Sequence, residues 1–137
     1  MNSYAVAGIK FHKSHGFDVI NHVSSHNLAS GLWTDLAVTD FTYQNCTVEH
    51  NWGPGFLVEI SDDITIDGCT VAYNATGMRI HSAHNCSVLG SRFEGNAIHI
   101  SLYDDHRNFS NVSWQIQLGM IWDKTPHTWT LENNEFI

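Results

Sequence analysis

Asp35, Glu59 and His81 recur at intervals of 24 and 22 residues, with Arg79 and His99 close by in the chain. If the chain returns on itself once per interval, these distant residues become neighbours. Glu59 beside His81 then makes a general acid/base pair. Asp35 facing Glu59 makes a carboxylate pair; a gap of about 5 Å suits a retaining glycosidase and a wider one suits inversion. Arg79 or Lys10 would neutralise the carboxylate of an acidic sugar, as proton abstraction beside that group requires. Trp33, and Tyr103 further along, offer rings on which a sugar stacks. The candidate catalytic residues are therefore Asp35, Glu59, His81 and His99. The candidate substrate contacts are Lys10, His12, Trp33, Arg79 and Tyr103.

The elements that would position them repeat. Gly8, Gly31, Gly55, Gly77 and Ala97 stand 23, 24, 22 and 20 residues apart, and an alternating run follows each. Those runs are Ile9-Lys10-Phe11, Leu32-Trp33-Thr34, Phe56-Leu57-Val58, Met78-Arg79-Ile80 and Ile98-His99-Ile100. A second short run recurs as Phe17-Asp18-Val19, Phe41-Thr42-Tyr43, Ile64-Thr65-Ile66 and Cys86-Ser87-Val88. A third recurs as Cys46-Thr47-Val48, Cys69-Thr70-Val71 and Ser91-Arg92-Phe93, and the repeats close on Asn27, Asn51, Asn74 and Asn96. Period-two alternation means strands with one buried face. Three short strands per repeat bury that face only by stacking on further copies. The pattern predicts an all-β, right-handed parallel β-helix of about five coils, with Asn and Gly taking left-handed backbone at the corners. The alternation breaks after Leu102 and resumes at Trp129. An irregular insertion at about 103–128 is expected after the fifth first-strand, as a flap over a coil edge or as a substrate lid.

Alternation also sets which side chains face out of the first sheet. One outward column is expected to hold Lys10, Trp33, Leu57, Arg79 and His99. The other is expected to hold His12, Asp35, Glu59, His81 and Ser101. Strands about 4.8 Å apart bring members of a column into contact. Like charges facing across a sheet destabilise it, so Asp35 opposite Glu59 is a cost that function explains. The competing reading is a plain polar surface, with Glu59–His81 a stabilising cross-strand pair. His15, His26, His50 and His84 are placed in solvated turns.

Composition narrows the classes. The chain has 137 residues, 42% hydrophobic and 15% charged, as a single packed domain over 1–137 requires. Its net charge of -8 and six Lys and Arg residues leave no basic stripe for nucleic acid. No apolar run reaches the length of a membrane-spanning helix, and residues 1–10 lack a signal-peptide pattern. The chain reads as cytosolic, or as part of a longer exported solenoid. Cys46, Cys69 and Cys86 show no zinc spacing and read as buried thiols. No metal is assigned; carboxylates at Asp35 with Glu59, or at Asp104-Asp105, suit a hard cation such as calcium, but no loop carries a known ligand spacing. The five Asn-x-Ser/Thr triplets, at Asn45, Asn74, Asn85, Asn108 and Asn111, follow from Asn-, Ser- and Thr-rich repeats.

Gly31-Leu32-Trp33-Thr34-Asp35, Gly55-Phe56-Leu57-Val58-Glu59-Ile60-Ser61 and Leu102-Tyr103-Asp104-Asp105 resemble bacterial right-handed parallel β-helix repeat proteins of the pectate-lyase-like superfamily. The resemblance covers residues 7 to about 102 and the final ten. It implies a carbohydrate-active, exported protein that meets a polysaccharide on the first sheet. Within that group, polysaccharide lyase, glycoside hydrolase and uronate epimerase stay open. So does a non-catalytic glycan-binding or structural solenoid, such as an adhesin or spike segment. The Asp clusters of pectate lyases and the polygalacturonase motif set are absent, so neither mechanism carries over. Full-length members have about twice as many coils, which implies a fragment whose exposed end coils would self-associate.

Overall fold

The computed structural model describes residues 7–103 and 129–137. The chain winds as three strands per coil. The first coil is β1 (Ala7–His12), β2 (His15–Ile20) and β3 (Val23–Ser25). The second is β4 (Ser30–Asp35), β5 (Thr39–Gln44) and β6 (Thr47–Glu49). The third is β7 (Pro54–Glu59), β8 (Asp62–Asp67) and β9 (Thr70–Ala72). The fourth is β10 (Thr76–His81), β11 (His84–Leu89) and β12 (Arg92–Glu94). β13 (Ile98–Tyr103), β14 (Trp129–Glu132) and β15 (Glu135–Phe136) extend the three sheets by one strand each. The result is a right-handed parallel β-helix of four uninterrupted coils, with a fifth formed on either side of residues 104–128. Tyr103 belongs to β13, and the rest of the expected insertion lies outside the described residues.

The strands alternate as period two requires. Leu32, Phe56, Met78, Val58 and Ile80 of the first sheet meet Phe41, Tyr43, Ile64, Ile66 and Val88 of the second, and Val48, Val71 and Phe93 of the third, all buried. The coils are joined by parallel backbone ladders and by two side-chain ladders at the corners. Asn27, Asn51, Asn74 and Asn96 form one: the Oδ1 atoms of Asn51, Asn74 and Asn96 each accept the backbone N–H of the asparagine one coil earlier, at 2.9–3.1 Å. The amides of Asn51, Asn74 and Asn96 donate to the carbonyls of Ser24, Val48 and Val71. The second ladder runs Cys46, Cys69, Ser91, Asn134, each accepting from the N–H of the residue before it in the series.

The expectation that the closing asparagines take left-handed backbone is corrected. They are ladder residues, and the positive φ falls one position earlier, on His26, His50, Tyr73 and Gly95. At the next corner Asn21, Asn45, Gly68 and Gly90 do take it, as expected. The glycines that open the first strands serve close approach instead. A Cβ on Gly55 would lie 2.7 Å from the Gly77 carbonyl and 2.8 Å from the Asn74 amide. His15 and His84 begin β2 and β11 rather than lying in turns, while His26 and His50 are exposed at a corner as expected.

Candidate functional site

The first sheet, in the order β1-β4-β7-β10-β13, carries the outward columns. Its register pairs Lys10 with Trp33, Trp33 with Leu57, Leu57 with Arg79, and Arg79 with Ser101. In the other column His12 pairs with Asp35, Glu59 with His81, and His81 with Tyr103. His99 is not in either column. It stands opposite Gly77, and Ser101 stands opposite Arg79 where His99 was expected. The fifth repeat starts two residues later than the Ala97 alignment implies. His99 is half-buried, with its ring 5.7 Å from Phe136 and a buried Nδ1 that has no partner. This position turns it away from the other candidates.

The remaining residues fall into two groups along the coil axis. In coils one and two, Lys10 Nζ lies 2.6 Å from Asp35 Oδ2 and 3.5 Å from the centre of the Trp33 ring. A cation over an indole face and against a carboxylate is a stable arrangement. It uses the ring face that was expected to take a sugar. Trp33 is buried, at 5% exposure, rather than exposed. Asp35 is buried too, at 6%, so it is not an accessible partner for Glu59 in a two-carboxylate hydrolysis.

In coils three to five, Glu59 Oε1 lies 3.3 Å from His81 Nδ1, with side-chain exposures of 13% and 18%. A carboxylate this close to Nδ1 orients the imidazole and favours the tautomer with its proton on that nitrogen. The Tyr103 ring meets His81 edge-on at 4.9 Å between centroids. Arg79 is exposed and pairs with no group among the described residues. Leu57 is its half-buried neighbour on one side and Ser101 on the other. The placement of Ser101 beside Arg79 and of Tyr103 beside His81 was missed from sequence. Counting from the closing asparagines would have found both, because Gly31, Gly55, Gly77 and His99 follow Asn27, Asn51, Asn74 and Asn96 by four, four, three and three residues.

Metal ligands do not converge. Among the described residues no three of His, Cys, Asp and Glu form a cluster. The exposed rings of His26 and His50 stack at 5.2 Å and 25°, so their in-plane lone pairs run side by side rather than toward one ion. Cys46, Cys69 and Cys86 are free and buried. Burial pushes the Cys69 and Cys86 thiols up to about 12, which disfavours the thiolate that binds a metal. Asp35 and Glu59 each already have a basic partner. Asp104-Asp105 lies outside the described residues.

Residues 1–137 match the family described as periplasmic copper-binding protein (NosD). No curated protein is found to be similar. Among solved structures, the periplasmic alginate epimerase AlgG is similar, at 14% identity and a TM-score of 0.61, over 96% of this chain and 39% of that one. The A-modules of the Azotobacter vinelandii mannuronan C-5 epimerases AlgE4 and AlgE6 score lower. AlgE4 gives 0.42 at 14% identity over 95% and 54% of the two chains. AlgE6 gives 0.37 at 9% identity over 96% and 58%. The chain spans about two fifths of AlgG, and the likeness is one of fold. The described residues do not form a donor set that fits copper.

Proposed function

We propose that this chain, which belongs to the NosD family of periplasmic copper-binding proteins, is an exported β-helix that binds an acidic polysaccharide across its first sheet and modifies it. The observation that carries the proposal is the exposed Arg79 guanidinium, without a partner among the described residues, beside the Glu59–His81 pair. A guanidinium binds a carboxylate strongly and in a fixed orientation. Holding a uronate carboxylate there makes the adjacent C–H more acidic, and His81, oriented by Glu59, takes that proton. Tyr103, whose ring meets His81 edge-on, handles the second proton in this proposal. Elimination and epimerisation share this first step. Hydrolysis by an Asp35–Glu59 pair is disfavoured, since Asp35 is buried and held by Lys10. A periplasmic family and a periplasmic alginate epimerase of like fold support an exported protein acting on a uronate polymer.

The test is incubation of the chain with alginate, polygalacturonate and neutral glucans. Reducing ends, the absorbance of unsaturated uronates and the proton spectrum of the polymer are followed together. Absorbance means elimination, and a changed epimer ratio without chain cleavage means epimerisation. Arg79→Lys is expected to lower kcat/KM on the acidic polymer about 10²-fold, the size of losing one oriented charge. A folded chain that binds uronate polymer through Arg79 without converting it would make this a glycan-binding solenoid. Failure to bind any uronate polymer would sink the proposal.

A further inference from the structure

Two buried polar atoms on the same outward face have no hydrogen-bond partner: Oδ1 of Asp35 and Nε1 of Trp33. The residues are two apart on β4, so their side chains leave the same side of the sheet. Both are more than nine-tenths buried. The other carboxylate oxygen of Asp35 is satisfied by Lys10, whose ammonium lies over the Trp33 ring. A buried unmet acceptor and a buried unmet donor two residues apart on one strand face are costly, and such groups call for an explanation. Thr34 Oγ1, the Tyr43 hydroxyl and His99 Nδ1 are also unmet, but Thr34 and Tyr43 belong to the inward-facing rows of their strands and His99 lies against Phe93 and Phe136. Asp35 and Trp33 lie on the outward face that carries Glu59 one coil on and Arg79 and His81 two coils on.

We infer that Asp35 and Trp33 form a hydroxyl-binding subsite beneath Lys10, which takes a neighbouring sugar unit of the same polysaccharide. A sugar hydroxyl both donates and accepts. It donates to Asp35 Oδ1 and accepts from the Trp33 indole N–H. A carboxylate would be wrong here, since it has no proton for Asp35. Lys10 is the movable cover: its side chain is 25% exposed and its stem is flexible. The charge pattern assigns the chain direction. Coils one and two are neutralised by the Lys10–Asp35 pair and read hydroxyls. Coil four presents Arg79 and reads the carboxylate. A polymer therefore lies along the coil axis, across the strands. This inference rests on the proposed glycan role, and adds that Asp35 and Trp33 bind rather than catalyse or stack.

The experiment is an NMR and calorimetric titration of the whole chain with mannuronate and galacturonate oligomers of two and four units, and with neutral cello-oligosaccharides of the same lengths. The Trp33 indole resonance is identified by its loss in Trp33→Phe. The expected result is that a four-unit uronate shifts that resonance, and that Trp33→Phe and Asp35→Asn each weaken its binding about tenfold. Binding of the two-unit uronate is expected to depend on Arg79 and not on Trp33. A Trp33 resonance that no probe moves overturns the subsite, the two atoms then being met by buried water. Neutral oligomers that bind through Trp33 while uronates do not would keep the subsite and remove the acidic-substrate proposal. Should Trp33→Phe fail to fold, Asp35→Asn and the resonance shift decide alone.

Discussion

Asp35 and Glu59 are both carboxylates, carried at the ends of successive first-sheet strands, yet their neighbours give them different fates. Lys10 neutralises and covers the first, while the second orients an imidazole. Glu59→Gln is expected to reduce turnover of a uronate polymer by about 10²-fold or more. Its melting temperature should stay close to that of the parent chain, because the side chain lies outside the core. Retained turnover would remove Glu59 from the proposal. The thiols give a second prediction. Folding raises Cys69 and Cys86 from the ordinary 9.0 to about 12, by burial first. A group raised on folding adds stability that is complete below its unfolded value and is lost as pH rises through its folded one. Stability to urea is therefore expected to fall between about pH 9 and pH 12. Cys86→Ala should flatten that decline. An unchanged slope in this variant would show that other groups cause it. Residue types and spacing made Glu59 and His81 legible in the sequence. The burial of Trp33 was not, because alternation gives the direction of a side chain and not what lies over it.

Individual strands here are two to six residues long, too short to be stable alone, and the ladders between coils hold them in register. Asn74 shows how. It accepts from the Asn51 N–H and side-chain amide, and donates to the Val48 carbonyl and to Asn96. Asn74→Ala leaves several of these buried groups unmet, at roughly 1–3 kcal/mol each. A loss of about 3 kcal/mol or more, read from chemical denaturation followed by circular dichroism, is expected. A loss under ~1 kcal/mol would mean that water replaces the amide. The same asparagines made the fold legible, since the period and the alternation together admit only a stacked coil. Where glycine is replaced the reading slipped. His99 fills the row of Gly8, Gly31, Gly55 and Gly77, and an alignment anchored on small residues chose Ala97 instead. The asparagine row is the firmer anchor, because a buried hydrogen-bond ladder constrains side-chain chemistry more tightly than a close backbone approach does.

At the scale of the molecule, three five-stranded parallel sheets each end in two edges, β1, β2 and β3 on one side and β13, β14 and β15 on the other. Parallel sheets are ordinarily covered on both faces and capped at their edges. Among the described residues, the edges display exposed apolar side chains: Phe17, Ile20 and Val23 at one end, Leu131, Phe136 and Ile137 at the other. The two described ends match strand for strand, so where the end coils are uncovered one copy stacks on another and continues all three sheets head to tail. That contact is heterologous and does not close, so it predicts growing oligomers rather than a fixed dimer. The net charge of -8 opposes it, and salt screens such repulsion. Light scattering should therefore show a mass that rises with protein concentration, and more steeply at 0.5 M than at 0.05 M salt, roughly spanning the screening range. Ile20→Lys with Val23→Lys places charge on one edge at exposed positions, and is expected to abolish the rise while leaving the melting temperature unchanged. A monomeric mass at every concentration and salt level would rule out stacking between copies.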